Sequence, residues 1–111
     1  MAKVKLGVVP LAQLTVTAGV PLQLSAVSLK AQEVLIQADP LNNGVVYIGD
    51  ASVTATQSIK LNADRAMSVQ ADDTSADEDM CFVDLSEIYI DGSITGDKVN
   101  VMILQLQEVQ Y

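Results

Sequence analysis

The sequence predicts an all-β protein, a single antiparallel β-sandwich or jelly roll of about eight short strands that spans residues 1–111. Apolar and polar residues alternate along much of the chain, as they do in half-buried strands. Turn signals separate these stretches at intervals of about ten residues, a spacing typical of sandwiches and jelly rolls. The length fits one domain that can bury roughly two thirds of its surface.

The first predicted strand lies at the N-terminus, where Val4, Leu6 and Val8 alternate with lysine and glycine. A signal peptide would need an uninterrupted apolar run. Because Pro10 and Gln13 break the run, we expect a half-buried strand here.

The same alternation predicts further strands in the middle and at the end of the chain. It occurs at 14–17, 22–24, 67–71 and 87–91. Residues rich in glycine, proline, asparagine and aspartate mark the turns between strands. These turn signals are at 18–21, 39–44, 49–50, 62–64, 91–92 and 95–97.

The segment 28–37 permits two interpretations. Positions 27, 31, 34 and 35 would share one face of a helix, and helix-forming residues are plentiful. Against this, Val34, Ile36 and Ala38 alternate, and the Asp39-Pro40 dipeptide favours an extended approach. We prefer the strand.

The stretch "NNGVVYIGDASVTAT" (42–56) contains a turn, a strand over 45–48, a second turn at 49–50 and a Ser/Thr-rich run expected to be extended. With one gap allowed, 46–54 is similar to 88–95. We interpret the two as equivalent strand-turn-strand corners of one sandwich, or as a chance similarity.

Alternation also assigns the faces of these two strands. We expect Val46 and Ile48 to face the core together with Ile88 and Ile90. Tyr47 and Tyr89 then point outward toward a partner surface. The opposite assignment is compatible with alternation, but it would bury Glu87 and Asp91, which share a face with Tyr89.

Negative charge is concentrated in the second half of the chain. Residues 1–60 carry four lysines and three acidic residues, whereas residues 61–111 carry two basic and eleven acidic residues, for a net charge of −8. Phosphate backbones are bound by Lys and Arg, so nucleic acid is not expected as a partner. An acidic surface suits a basic partner, a cation or water.

The composition argues against common catalytic and metal sites. The chain has no histidine and a single cysteine, Cys81, which excludes an internal disulfide, histidine-based triads and the usual zinc sites. With no Trp and one Phe, it also lacks a sugar-binding platform for glycoside hydrolysis. We expect no enzyme activity, no cofactor and no membrane partner, and synthesis in a reducing cytoplasm.

The acidic run 72–79 resembles a calcium loop only in part. Asp73, Ser75, Asp77 and Asp79 fall on ligand positions, with Asp84 at the twelfth. The sixth position is glutamate instead of glycine, and no amphipathic helices flank the run. We prefer a solvated loop, with weak calcium binding as the alternative.

Residues 96–98, Gly-Asp-Lys, are predicted to form a tight turn and not a phosphate loop, because a strand and not a helix follows them. In that strand both faces are apolar. Val99, Val101 and Ile103 make one face, and Met102, Leu104 and Leu106 make the other. Either the strand is central between two packed layers or belongs to a wrapped terminus, or its second face is a subunit interface, where methionine and tyrosine are enriched.

Three successive stretches carry a resemblance to a known group of proteins. "NNGVVYIGDASVTAT", "SIKLNADRAMSVQAD" and "LSEIYIDGSITGDKVNVMIL" resemble small virion proteins of tailed bacteriophages from about residue 28 onward. In that group a Tyr-Ile-Gly-Asp corner, a later corner of the form "DLS-IY--GS--GDKV" and a closing apolar strand recur.

The resemblance implies a β-sandwich or jelly-roll module and a structural role in a virion. It implies a capsid decoration (cement) protein, a homotrimer that binds the major capsid protein on the surface of the expanded head. Tyr47, Tyr89, Met102, Leu104 and Leu106 are the residues we expect in the oligomer or capsid interface. The alternative is a fibre- or tail-associated recognition module for a host-surface glycan or protein.

Overall fold

The structure, a computed structural model, describes residues 3–70 and 82–109. The acidic run 72–79 and the calcium-loop hypothesis built on it therefore lie outside the described residues, except for Asp84. In chain order the strands are β1 (Lys3–Pro10), β2 (Leu14–Thr15), β3 (Leu22–Gln23), β4 (Lys30–Ala31), β5 (Glu33–Ala38), β6 (Val46–Gly49), β7 (Ile59–Leu61), β8 (Ala66–Gln70), β9 (Val83–Asp84), β10 (Tyr89–Gly92) and β11 (Lys98–Val109). A 3₁₀ turn at Leu85–Glu87 joins β9 to β10.

The predicted all-β class is confirmed. A five-stranded antiparallel sheet has the order β1-β11-β5-β8, with β2 also paired to β11. A four-stranded antiparallel sheet has the order β3-β10-β6-β7, and β4 pairs with β9 in a small two-stranded sheet. The arrangement is consistent with a β-sandwich.

The hydrophobic core lies between the two larger sheets. Residues of one side of each sheet are buried together, while their neighbours along the strand are more exposed, which is the alternation that the sequence predicts. The buried cluster comprises Val16, Leu24, Ala31, Val34, Ile36, Ala38, Val46, Ile48, Leu61, Leu85, Ile90, Val99, Val101 and Ile103.

Strand β11 is the centre of the five-stranded sheet. One edge pairs with β1, from Lys3 opposite Val109 to Pro10 opposite Met102. On the same edge, Lys98 and Val99 pair with β2, and the opposite edge pairs with β5 from Val99 to Leu104. The segment is therefore an internal strand of its sheet, and Val99, Val101 and Ile103 are buried in the core. Met102 and Leu104 on its other face stay partly exposed, so a position between two packed layers is not confirmed in the described residues.

The segment 28–37 is extended, as preferred, and forms β4 and β5 on either side of Gln32. The strand forms instead of the helix because alternation places Val34, Ile36 and Ala38 on one face, where all three are fully buried in the core. A helix would have placed only some of them there.

Two details of the sequence prediction are wrong. The described residues form eleven strands instead of about eight, because four of them have only two residues. The run 51–56 is not an extended strand. It turns, because Asp50 accepts hydrogen bonds from the backbone N–H and hydroxyl of Ser52, and Thr54 accepts from the N–H groups of Thr56 and Gln57.

The packing predicts the cost of trimming Ile48, which is 4 % exposed in the core. We expect Ile48→Ala to lower the free energy of unfolding by about 2–4 kcal/mol through lost burial and a residual cavity. Its matched control is Ile59→Ala, because Ile59 lies directly opposite on β7 and is 54 % exposed. Urea denaturation of both variants would contradict this packing if the two losses were equal.

Candidate interaction surfaces

The outer side of the four-stranded sheet carries Tyr47 and Tyr89 and is called the tyrosine face below. Tyr47 in β6 is paired with Asp91 in β10 and with Lys60 in β7. Tyr89 in β10 is paired with Gly49. Residues directly opposite in antiparallel strands share a face, so Tyr47 and Tyr89 are diagonal neighbours on one surface.

The predicted orientation of these strands is confirmed on the core side. Val46 and Ile90 are fully buried, Ile48 is nearly so, and Ile88 packs against the cluster. Tyr47 and Tyr89 are both partly exposed. Their role in binding a partner stays a prediction.

Asp91 departs from the sequence prediction. It lies on the tyrosine face as expected, but it is only 6 % exposed. The loop after β2 covers it, and its Oδ1 accepts hydrogen bonds from the N–H groups of Gly19 (2.9 Å) and Gly92 (2.7 Å). Burial is tolerated because backbone donors partly replace water.

A shallow groove of about 650 Å³ runs beside Tyr47 and is called the Asp91 groove below. Its remaining walls are mostly small or apolar side chains from the loop before β3 and from the turns after β6. The lining residues are Gly19, Pro21, Tyr47, Ala51, Ser52, Val53, Thr54, Ala55, Gln57, Asp91 and Gly92. Tyr89 lies on the same face but is not part of the lining.

The outer side of the five-stranded sheet carries a second surface, called the apolar strip below. It consists of Val8, Pro10, Leu35, Met102 and Leu104, which the strand registers place side by side. Val8 is 58 % exposed, and Leu35, Met102 and Leu104 are partly exposed.

Leu106 also lies in β11 and pairs with Leu6 of β1. The two sheets pack through their inner sides. The tyrosine face and the apolar strip therefore lie on opposite outer sides of the sandwich. The structure brings Met102 and Leu104 together and separates them from Tyr47 and Tyr89, so the five predicted residues do not form one continuous interface.

A turn and not a helix precedes β11, as predicted, although Lys98 already belongs to the strand. This turn also holds another loop in place, which the sequence did not reveal. Asp97 is 4 % exposed and accepts hydrogen bonds from the N–H groups of Asn43 (3.1 Å) and Gly44 (2.8 Å). Gly44 has to be glycine for this approach, since a Cβ there would meet Ser93 Oγ and Asp97 Oδ2. The aspartate holds the 42–44 turn in place.

Asp84 has a similar task at the 3₁₀ turn. Its Oδ1 accepts hydrogen bonds from the N–H of Leu29 (3.1 Å) and from the N–H and hydroxyl of Ser86 (3.0 and 2.8 Å). Its Oδ2 accepts from the hydroxyl of Ser28 (2.6 Å). These hydrogen bonds, the one from Ser28 foremost, hold the pKa of Asp84 well below its usual range.

Within residues 3–70 and 82–109, no group of three or more His, Cys, Asp or Glu side chains is arranged to hold a metal ion. In the same part of the chain, no helix is long and apolar enough to cross a membrane. Comparisons of the chain with protein-family models, curated proteins and solved structures find no match.

The hydrogen bonds of Asp84 predict how stability depends on pH. Because the folded-state pKa is lowered, the stabilisation is present above the unfolded-state pKa of about 3.9 and is lost as pH falls toward the lower folded-state pKa. We expect Asp84→Asn to be less stable than the wild type at pH 6 and to lose less stability on acidification. Thermal melts from pH 6 to pH 2.5 measure both.

The control for this experiment is Glu87→Gln in the same turn, since Glu87 is exposed. It should keep the wild-type pH profile. Parallel profiles for the wild type and Asp84→Asn would contradict the assignment of Asp84 as a loop anchor.

Proposed function

We propose that this chain is a structural virion protein of a tailed bacteriophage, a capsid decoration protein that stabilises the expanded head by binding between capsid subunits. The observation that carries the proposal is the placement of two candidate contact surfaces on opposite outer sides of one sandwich. A protein that joins neighbouring molecules needs at least two such surfaces.

The chemistry of the two surfaces suits protein contacts. Tyrosine is enriched at the centres of interfaces because its ring buries a large area while its hydroxyl stays able to form hydrogen bonds. Methionine is likewise enriched in interfaces. Attachment of this kind acts through buried area and geometry and needs no catalytic group.

We assign a different partner to each surface. The apolar strip, with Met102 and Leu104, is assigned to contacts between copies of this chain in a trimer. The tyrosine face, with Tyr47 and Tyr89, is assigned to the major capsid protein. The strip suits self-association because its central residues come from β11, the strand that the rest of the sheet holds rigidly from both edges.

A fibre- or tail-associated recognition module for a host-surface glycan or protein is the second candidate. The observation in its favour is the Tyr47 ring beside the Asp91 groove, since aromatic rings support sugar binding. A decoration protein and a recognition module differ in what they bind, so binding to shells and to host cells separates them.

The self-association assignment predicts the effect of a charge in the apolar strip. Leu104→Asp would place an unpaired carboxylate in the interface, and we expect it to shift the trimer to monomer in sedimentation velocity at micromolar concentration. The control is Ser68→Asp, because Ser68 is exposed and pairs with Leu35 on the same outer side. A wild type that is monomeric both in solution and on the particle would contradict the assignment.

The shell assignment predicts that the purified protein adds stoichiometrically to expanded empty phage shells. Tyr47→Ala should leave the melting temperature nearly unchanged and weaken this addition. Co-sedimentation with shells and thermal melts measure the two effects. Attachment to host cells but not to shells would favour the recognition module. Unchanged shell binding with a large loss of stability would mean that Tyr47 acts only in folding.

A further inference from the structure

The carboxylate of Asp91 is incompletely paired in the part of the chain that the structure describes. Both of its hydrogen bonds from backbone N–H groups go to Oδ1. Oδ2 accepts none from the described residues, and none of their lysines or arginines forms an ion pair with it. Although Asp91 as a whole is only 6 % exposed, Oδ2 is not among the buried side-chain atoms that lack a hydrogen-bond partner, so it keeps contact with the solvent of the groove.

The Asp91 groove places this carboxylate beside an aromatic ring. Tyr47 lies directly opposite Asp91 in the strand register, so the two side chains stand next to each other on the tyrosine face. Both line the groove, and Pro21, Ala51 and Val53 contribute apolar walls. An elongated group with an apolar stem and a hydrogen-bond-donating head fits these surroundings.

We propose that the Asp91 groove binds a lysine or arginine side chain of the partner protein. The cationic head would donate a charge-assisted hydrogen bond to Oδ2 of Asp91, and such bonds are stronger than neutral ones. The ring of Tyr47 would add a cation–π contact, and the apolar walls would cover the methylene stem. This inference rests on the proposed function, since it gives the chemistry of the capsid contact.

Charge favours a cation over a sugar hydroxyl as the occupant. A hydroxyl offers only a dipole to a buried carboxylate, whereas a cationic side chain compensates its charge. The chain as a whole carries a net charge of −8, which attracts basic surfaces. Lys60, which pairs with Tyr47 from the opposite strand, is exposed and makes no ion pair with Asp91.

The test uses N-acetyl-arginine methylamide as the probe in a ¹⁵N–¹H NMR titration of the full chain. The N–H groups of Gly19 and Gly92 donate to Asp91, so their signals report directly on the groove. We expect both signals to shift and saturate with the arginine probe. The citrulline analogue, which has the same shape without the charge, and a methyl glucoside should leave them nearly unchanged.

Two variants and one control locate the binding. Asp91→Asn keeps a carbonyl oxygen for the Gly19 and Gly92 N–H groups but removes the charge, and it should abolish saturation. Tyr47→Ala tests the site even if Asp91→Asn does not fold. It should weaken binding of the arginine probe by about fivefold. Glu87→Gln, which removes an exposed carboxylate outside the groove lining, should bind like the wild type.

The outcomes separate this inference from the proposed function. Equal shifts with citrulline, saturation only with the glucoside, or full affinity in Tyr47→Ala would each overturn the cation site, even if the protein still adds to shells. Selective arginine binding by a protein that does not add to shells would support the site and count against the decoration function.

Discussion

Antiparallel pairing along β11 is the constraint on which most of the structure depends. This strand hydrogen-bonds to β1, β2 and β5, so its register fixes three neighbours at once. A shift of one residue would move Val99, Val101 and Ile103 from the core to the outer side of the sheet. The beginning of β11 is also held, because Lys98 exchanges two hydrogen bonds with the side chain of Asn42.

Buried and partly buried aspartates hold the loops around the two sheets in place. Asp84, Asp91 and Asp97 each accept backbone N–H groups from a loop more than fifty positions away in sequence. Each carboxylate thus replaces part of the hydrogen bonding that a loop cannot make for itself. The acidic second half of the chain is therefore not only a charged surface, since three of its eleven acidic residues fasten loops.

The sequence was a good guide wherever burial decided the outcome. Alternation identified β5, β6, β8, β10 and β11 and the inward residues of β6 and β10, because half-buried strands have a period of two. It was a poor guide where side chains form hydrogen bonds with backbone N–H groups that a strand would otherwise use. The serines and threonines after Asp50 suggested a strand but form turns, since the Asp50 carboxylate and the Thr54 hydroxyl accept hydrogen bonds from nearby N–H groups.

The candidate surfaces were predictable in composition but not in arrangement. Tyr47, Tyr89, Met102 and Leu104 were all predicted as interface residues. Their division between two sides follows from strand order, which a single sequence does not show. Asp91 illustrates the same limit, because its partner Gly19 lies 72 positions earlier and only the folded chain places them together.

The division between two sides bears directly on what the protein can do. Catalytic residues have to lie close together around the substrate. The contact residues of a protein that joins two partners have to lie on separate surfaces. Here the tyrosine face and the apolar strip lie on opposite outer sides of the sandwich, and the packed core lies between them. Close-packed interiors transmit strain because they compress little. Under the proposed decoration role, the packed core, which includes Ile36, Ile90 and Ile103, would carry a load from one surface to the other.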